Sequence, residues 1–246
     1  MRLRPTIWFA LLLVTTCASS HADSIRAVTE DTAYSYLQDG RVAGPATRVV
    51  EAMLQRAGLN DYSLTLYPWA RAYDMALQQP NVLIYLIART PEREPLFKWV
   101  GEIMRIDYHL YKLREQPDVQ VHSLADAKHF SIGVLRDDVR QKYLQAEGFT
   151  KLVVAAGNRD NFRRLLNRQV QLVPMPERDA MLLSAEAGVD YASLEQVYTL
   201  DALSSDLYMA YSNSTDDETL SRSRAAFDGL KREGLLTRLM DDKAEH

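Results

Sequence analysis

The chain has 246 residues, 29 Lys+Arg against 33 Asp+Glu, and a single cysteine, Cys17. A formal charge of −4 offers no basic surface to nucleic acid, and one cysteine cannot build a disulfide scaffold or a thiolate metal cluster. Beyond the N-terminal run no apolar stretch reaches the roughly 20 residues of a membrane helix, so the expectation is a globular chain without membrane insertion, nucleic-acid partner or cofactor.

Arg2 and Arg4 precede an apolar run from Ile7 to Val14, and small and polar residues lead to Ser20-His21-Ala22. This is the pattern of a secretory signal peptide over residues 1–22, which implies a periplasmic product. Lipidation at Cys17 is not expected, because Val14-Thr15-Thr16 lacks the small residue that precedes a lipidated cysteine. Cleavage after Ala22 removes Cys17, Arg2 and Arg4, leaving 27 basic against 33 acidic residues and a formal charge of −6.

Strand and helix signals then alternate. Ile25–Thr29 reads as a strand. Gly44-Pro45 opens a helix whose apolar face is Ala46, Val49, Val50, Met53 and Leu54, ended by Gly58. Tyr62, Leu64 and Leu66 alternate as a second strand, Ala70–Gln78 is a helix, and Val82–Ile87 is a continuous apolar run of the kind buried in parallel sheets. Ile103–Leu113 reads as one long extended run. A short helix follows Ser123, then a strand over Phe130–Leu135, a helix opened by Asp137-Asp138, a strand over Lys151–Ala155, and a helix capped by Asn158. Val170–Val173, a helix from about Arg178 to Ala187, strands at Val197–Leu200 and Leu207–Tyr211, and a long helix from Thr215 complete the chain. No sequence repeat is visible.

Two alternating units in so short a chain imply an α/β protein of two small lobes rather than one wide sheet. Residues 23–106 plus 200–246 form the first lobe and 107–199 the second, with crossings near 103–113 and 197–211.

The run ending Arg89-Thr90-Pro91-Glu92-Arg93, with its preceding strand and following Phe97-Lys98-Trp99, resembles the corresponding stretch of family 3 periplasmic solute-binding proteins, the receptors of polar amino-acid uptake. The resemblance implies a two-lobed periplasmic-binding-protein-like fold, each lobe a small doubly wound sheet, joined by two hinge strands. It further implies a small polar, carboxylate-bearing solute held between the lobes, a membrane permease as partner, and a monomer. In that family the arginine of the turn clamps the ligand carboxylate, which falls here on Arg93. The plain alternative is a surface arginine paired with Glu92 or Glu94, and Arg89 competes for the clamp.

Thr90 belongs to the same turn. Tyr34, near Gly40 and Gly44, matches an aromatic residue that packs on ligand, or is an ordinary core tyrosine. Arg48 stands where the family commonly has an aspartate. Trp69 and Arg71 sit at a strand-to-helix junction of the kind that faces ligands, with a core anchor the competing reading for Trp69; Trp99 reads as core. In the second lobe the family's Gly-Thr helix start is replaced by Arg136-Asp137-Asp138, and its later aspartate has only Glu177 as a substitute. These departures suggest a solute with a cationic or hydroxylated end toward Asp138 or Glu177. A sensory module that signals to a membrane protein uses the same cleft and stays open as a second reading. Catalysis is not expected, since no hydrolase, zinc-peptidase, P-loop or dinucleotide motif occurs.

Overall fold

The computed structural model describes residues 24–241, so the signal-peptide reading and Cys17 lie outside the described residues. In chain order the strands are β1 (Ile25–Thr29), β2 (Tyr36–Gln38), β3 (Arg41–Ala43), β4 (Tyr62–Leu66), β5 (Val82–Ala88), β6 (Phe97–Ile106), β7 (His109–Leu113), β8 (Ile132–Leu135), β9 (Leu152–Ala155), β10 (Val173–Met175), β11 (Leu194–Thr199) and β12 (Ser205–Ser212). The helices are α1 (Pro45–Arg56), α2 (Trp69–Gln78), α3 (Leu124–Ala127), α4 (Val139–Ala146), α5 (Asn158–Leu166), α6 (Glu177–Glu186), α7 (Asp217–Arg232) and α8 (Leu235–Met240).

The first sheet has the order β4-β1-β5-β12-β6. Its β1 runs parallel to β4 and β5, and β12 is antiparallel to β5 and β6. All seven residues of β5 are buried, as a continuous apolar run requires when helices cover both faces. On one face α1 buries Val49, Val50, Met53 and Leu54 in the main core. On the other α2 buries Trp69, Ala72, Tyr73 and Ala76 against Val82, Ile84, Phe97 and Trp99.

The second set of strands repeats this plan. Strands β8 and β9 pair in parallel, and β10-β7-β11 form an antiparallel ladder. A parallel bridge from Ile132 to Leu172, with the Gly133 N–H donating to Leu172 O at 2.9 Å, joins the two pieces. The same strand senses thus recur in both halves although no repeat is legible in the sequence. Each half is doubly wound in its parallel part and finished by two antiparallel strands.

The Ile103–Leu113 run is not a single strand. It breaks at Asp107-Tyr108, where the chain leaves β6 of the first sheet for β7 of the second. The return passes through Leu200–Ser204, and the two crossings are tied by Leu200 N–H donating to Tyr108 O at 2.8 Å. Extended backbone on both sides of the break gives the sequence no local mark of it. Leu86 supplies a second irregularity. Tyr208 pairs with Ile87 and Met209 with Tyr85, so Leu86 bulges out of β5 with φ 60. Bulges re-aim side chains, and this one turns Leu86 toward the space between the sheets.

Candidate functional site

The carboxyl ends of β1 and β5 meet the turns before α4, α5 and α6 across a narrow seam. Glu30 follows β1 directly. The next turn is held by Gly44, whose φ of 111 is open to glycine; a Cβ there would lie 2.6 Å from Tyr34 O. From the second half come Tyr108 at the crossing, Arg140 on α4, Asn158 on α5, and Asp179 on α6. These side chains enclose a cavity of about 20 Å³ with Leu86 in its wall. An adjoining pocket of about 350 Å³ shares Glu30 and Asn158 and is walled by Leu37, Leu66, Tyr67 and Pro68.

Bonds cross this seam throughout. The Ala33 N–H donates to Asp179 Oδ1 at 2.8 Å, and Asn158 Nδ2 donates to Glu30 Oε2 at 3.1 Å and to Asp31 O at 3.2 Å. Asn158 is therefore not the cap of α5, as its residue type suggested; Gly157 stands in that position and the amide is used across the seam. Arg159 forms an ion pair with Asp31 while gripping Glu186 through two bonds of 2.7 Å. The Arg178 guanidinium lies 5.1 Å from the Tyr34 ring centre.

Burial and charge set the protonation of the group. The Glu30 carboxyl is pushed up to about 8, first by burial and then by the Asp138 and Asp179 charges, against the opposing pull of Arg140. Asp179, 5% exposed, is raised by burial, with the Ala33 N–H and the arginines opposing. Burial works against the Arg140 charge, but the charge and hydrogen bond of Asp138 together with Tyr108 and Glu30 outweigh it, and the guanidinium stays protonated. Arg140 is 4% exposed, donates from Nε to Asp138 Oδ1 at 2.5 Å and from Nη1 to Pro174 O at 3.2 Å, and lies 5.0 Å over the Tyr108 ring.

Arg93 is 3% exposed at the end of the β5 turn. Its guanidinium lies against Tyr73 at 4.9 Å and Trp69 at 5.3 Å, and Nη1 donates to Ala88 O at 3.2 Å. Nη2 is buried and finds no acceptor among the described residues. The second half closes on the same rings: Trp69 Nε1 donates to Asp137 O at 3.2 Å, and Lys142 Nζ is 5.6 Å from the Tyr73 centre. Thr90 builds the turn, its carbonyl accepting from the N–H groups of Arg93 and Glu94.

The remaining expected residues are placed elsewhere. Arg89 grips Glu94 through bonds of 2.7 and 2.6 Å, between the Trp99 and Tyr208 rings. Arg71 lies over Tyr67 at 4.5 Å. Asp138 caps α4 through the Arg140 N–H, leaving its charge to the Arg140 side chain. Glu177 is exposed and accepts from the Tyr191 hydroxyl at 3.4 Å, whereas Asp179, two residues on, reaches the cavity. Arg48 holds Leu239 O of α8, and Trp99 is core. Glu30, Tyr108, Arg140, Asn158, Asp179 and Leu86 were not read from the sequence. Of these only Glu30 carried a signal, as a carboxylate directly after a parallel strand.

Asp179→Ala leaves the Ala33 N–H without its partner. A hydrogen bond to a charged group contributes about 1.5–3 kcal/mol, so hydrogen exchange at Ala33 is expected to accelerate about tenfold or more, as read by mass spectrometry. Unchanged protection there would show that the bond does not form in solution.

No protein-family model matches the chain, and no curated protein matches it in sequence. Solved structures do match in shape. A histidine kinase sensor domain with similarity to periplasmic binding proteins superposes with a TM-score of 0.77 at 16% identity, covering 88% of this chain and 94% of that one. The arginine-, lysine-, histidine-binding protein ArtJ from Geobacillus stearothermophilus gives 0.74 at 18% identity, over 88% and 93% of the two chains. The amino-acid ABC transporter substrate-binding protein AbpA from Streptococcus pneumoniae, bound to L-arginine, gives 0.75 at 15%, over 89% and 93%.

The fold is that of two-lobed periplasmic binding proteins. The Glu30–Asp179 group lies on the seam between the first sheet and the starts of α4, α5 and α6.

Proposed function

We propose that this chain is an exported receptor that captures a small solute, bearing a carboxylate and an amine, in its interlobe cleft. The observation that carries the reading is Arg93. A guanidinium 3% exposed, flanked by two rings and with one amino group lacking an acceptor among the described residues, suits a carboxylate placed between the lobes. The acidic residues Glu30 and Asp179 suit the opposite, cationic end of the same solute. The lobes are proposed to be residues 23–106 plus 200–246 and 107–199, closing by rotation about 107–108 and 200–204. The receptor is proposed to act in the periplasm as a monomer and to deliver solute to an ABC-type permease.

A second reading, a sensing module for a membrane signalling protein, is favoured by the likeness to a kinase sensor domain. Loss of solute uptake on deletion of the gene supports the first role; intact uptake with loss of a solute-dependent response supports the second.

The test is thermal unfolding of the protein, refolded free of carried-over ligand, against amino acids, di-acids, polyamines and hydroxy acids, with Arg93→Ala alongside. A true ligand at 100 times its Kd stabilises by about 2.7 kcal/mol, a shift of several degrees at this size. A shift shared equally by Arg93→Ala, or none across the set, would sink the proposed clamp.

A further inference from the structure

We infer that Arg140 determines which cation the cleft accepts: its own guanidinium occupies the guanidinium position, so the cleft takes a solute ending in a primary ammonium and refuses its guanidino counterpart. The inference rests on the reading of the seam as a solute cleft and names the solute's cationic end.

The parts of a guanidinium site are all present, and α4 fills them from within. Nε is held by Asp138 and Nη1 by Pro174 O, while the plane lies over the Tyr108 ring. A carboxylate, a carbonyl and an aromatic face are what a planar cation with a fork of donors requires. The space beside it is about 20 Å³, the room of a single water or ammonium group, and is bordered by Glu30 and Asp179. Neither of those carboxyls receives a hydrogen bond from Arg140 among the bonds of the described residues; Asn158 and Ala33 serve them instead. The carboxyls of Glu30 and Asp179 supply acceptor oxygens at the edge of this space, and an ammonium fits it. A guanidinium enters only by expelling Arg140.

The test compares matched pairs, lysine with arginine and cadaverine with agmatine, by titration calorimetry on wild type, Arg140→Ala and Arg140→Lys. Circular dichroism checks folding of each variant; Arg140→Lys keeps a positive charge against Asp138 while uncovering the Tyr108 face. Wild type is expected to bind each amine at least tenfold more tightly than its guanidino partner. Arg140→Ala is expected to reverse the ratio, with agmatine and arginine gaining at least tenfold, and Arg140→Lys to move it the same way by less. An unchanged ratio in both variants, or a wild type that prefers the guanidino partner, overturns the inference. Arg93→Ala separates this from the clamp, because it weakens lysine and arginine but not cadaverine or agmatine. A ratio that reverses at Arg140 while Arg93→Ala weakens neither amino acid supports the inference and removes the carboxylate clamp. Absence of binding by every probe to every variant removes both.

Discussion

Between about pH 5 and pH 8.5 wild-type protein is expected to lose stability, and Glu30→Gln is expected to lose markedly less. The Glu30 carboxyl moves from an ordinary value of 4.5 to about 8 in the folded chain. Below 4.5 both folded and unfolded chains hold the proton, and Glu30 contributes nothing to the pH dependence. Between 4.5 and 8 the unfolded chain has lost a proton that the folded chain keeps, so stability falls with rising pH. Above 8 the folded chain carries an ionised carboxylate beside Asp138 and Asp179. At 1.36 kcal/mol per pH unit the loss is of order 4 kcal/mol, or about ten degrees of Tm at this size.

Opening the cleft returns Glu30 to water and relieves part of this cost, so the radius of gyration from small-angle scattering should rise over the same window. Gln keeps an oxygen for Asn158 without a titrating proton, which makes the variant a clean comparison. A wild-type Tm that stays flat over this range, or falls equally in Glu30→Gln, would falsify the burial of Glu30 in a carboxyl-rich cleft.

Arg93→Ala is expected to weaken binding of a carboxylate-bearing solute about 30- to 1,000-fold. Hydrogen bonds to charged groups contribute about 1.5–3 kcal/mol, truncating one side of a buried charged pair costs about 2–5 kcal/mol, and each 1.4 kcal/mol is a factor of ten. Arg93→Lys keeps the charge but lacks the planar fork and should recover only part of the loss. Because Arg93 also packs between Trp69 and Tyr73, Ala lowers the Tm of the unliganded protein as well. Arg93→Met retains most of the side chain's volume there and separates packing from recognition. Equal affinity in wild type and Arg93→Met would assign Arg93 a packing role alone.

Much of the fold was legible in the chain. Val82–Ile87 announced a strand buried on both faces, Gly44-Pro45 a helix start, and the helix expected from Thr215 begins at Asp217, capped by Asp216, which accepts from the Thr219 N–H. The β2–β3 hairpin went unread although Asp39-Gly40, both at positive φ, is a strong turn signal. Three-residue strands are too short to show a period. The break at Asp107-Tyr108 was hidden because both flanks are extended.

The site divided differently. The Thr90–Arg93 turn is local, so its chemistry could be read from adjacent residues. The acidic cavity could not, because its members belong to distant segments. Ala33 and Asp179 are 146 positions apart, and Glu30 and Asn158 are 128 apart. Glu177 was the nearer acid by alignment of residue types, but the phase of α6 aims Asp179 inward and leaves Glu177 outside.

The alternation of strands and helices over most of the chain, the apolar face of α1 and the turn carrying Arg93 were determined by the sequence alone. Apolar periodicity and turn propensity act over a few residues, and no tertiary contact is needed to express them. Which carboxyls share a cavity, the proton on Glu30 and the guanidinium that fills the site were decided only by the tertiary structure. Desolvation and the fields of Asp138, Asp179 and Arg140 act on Glu30 only once the two lobes have brought them together.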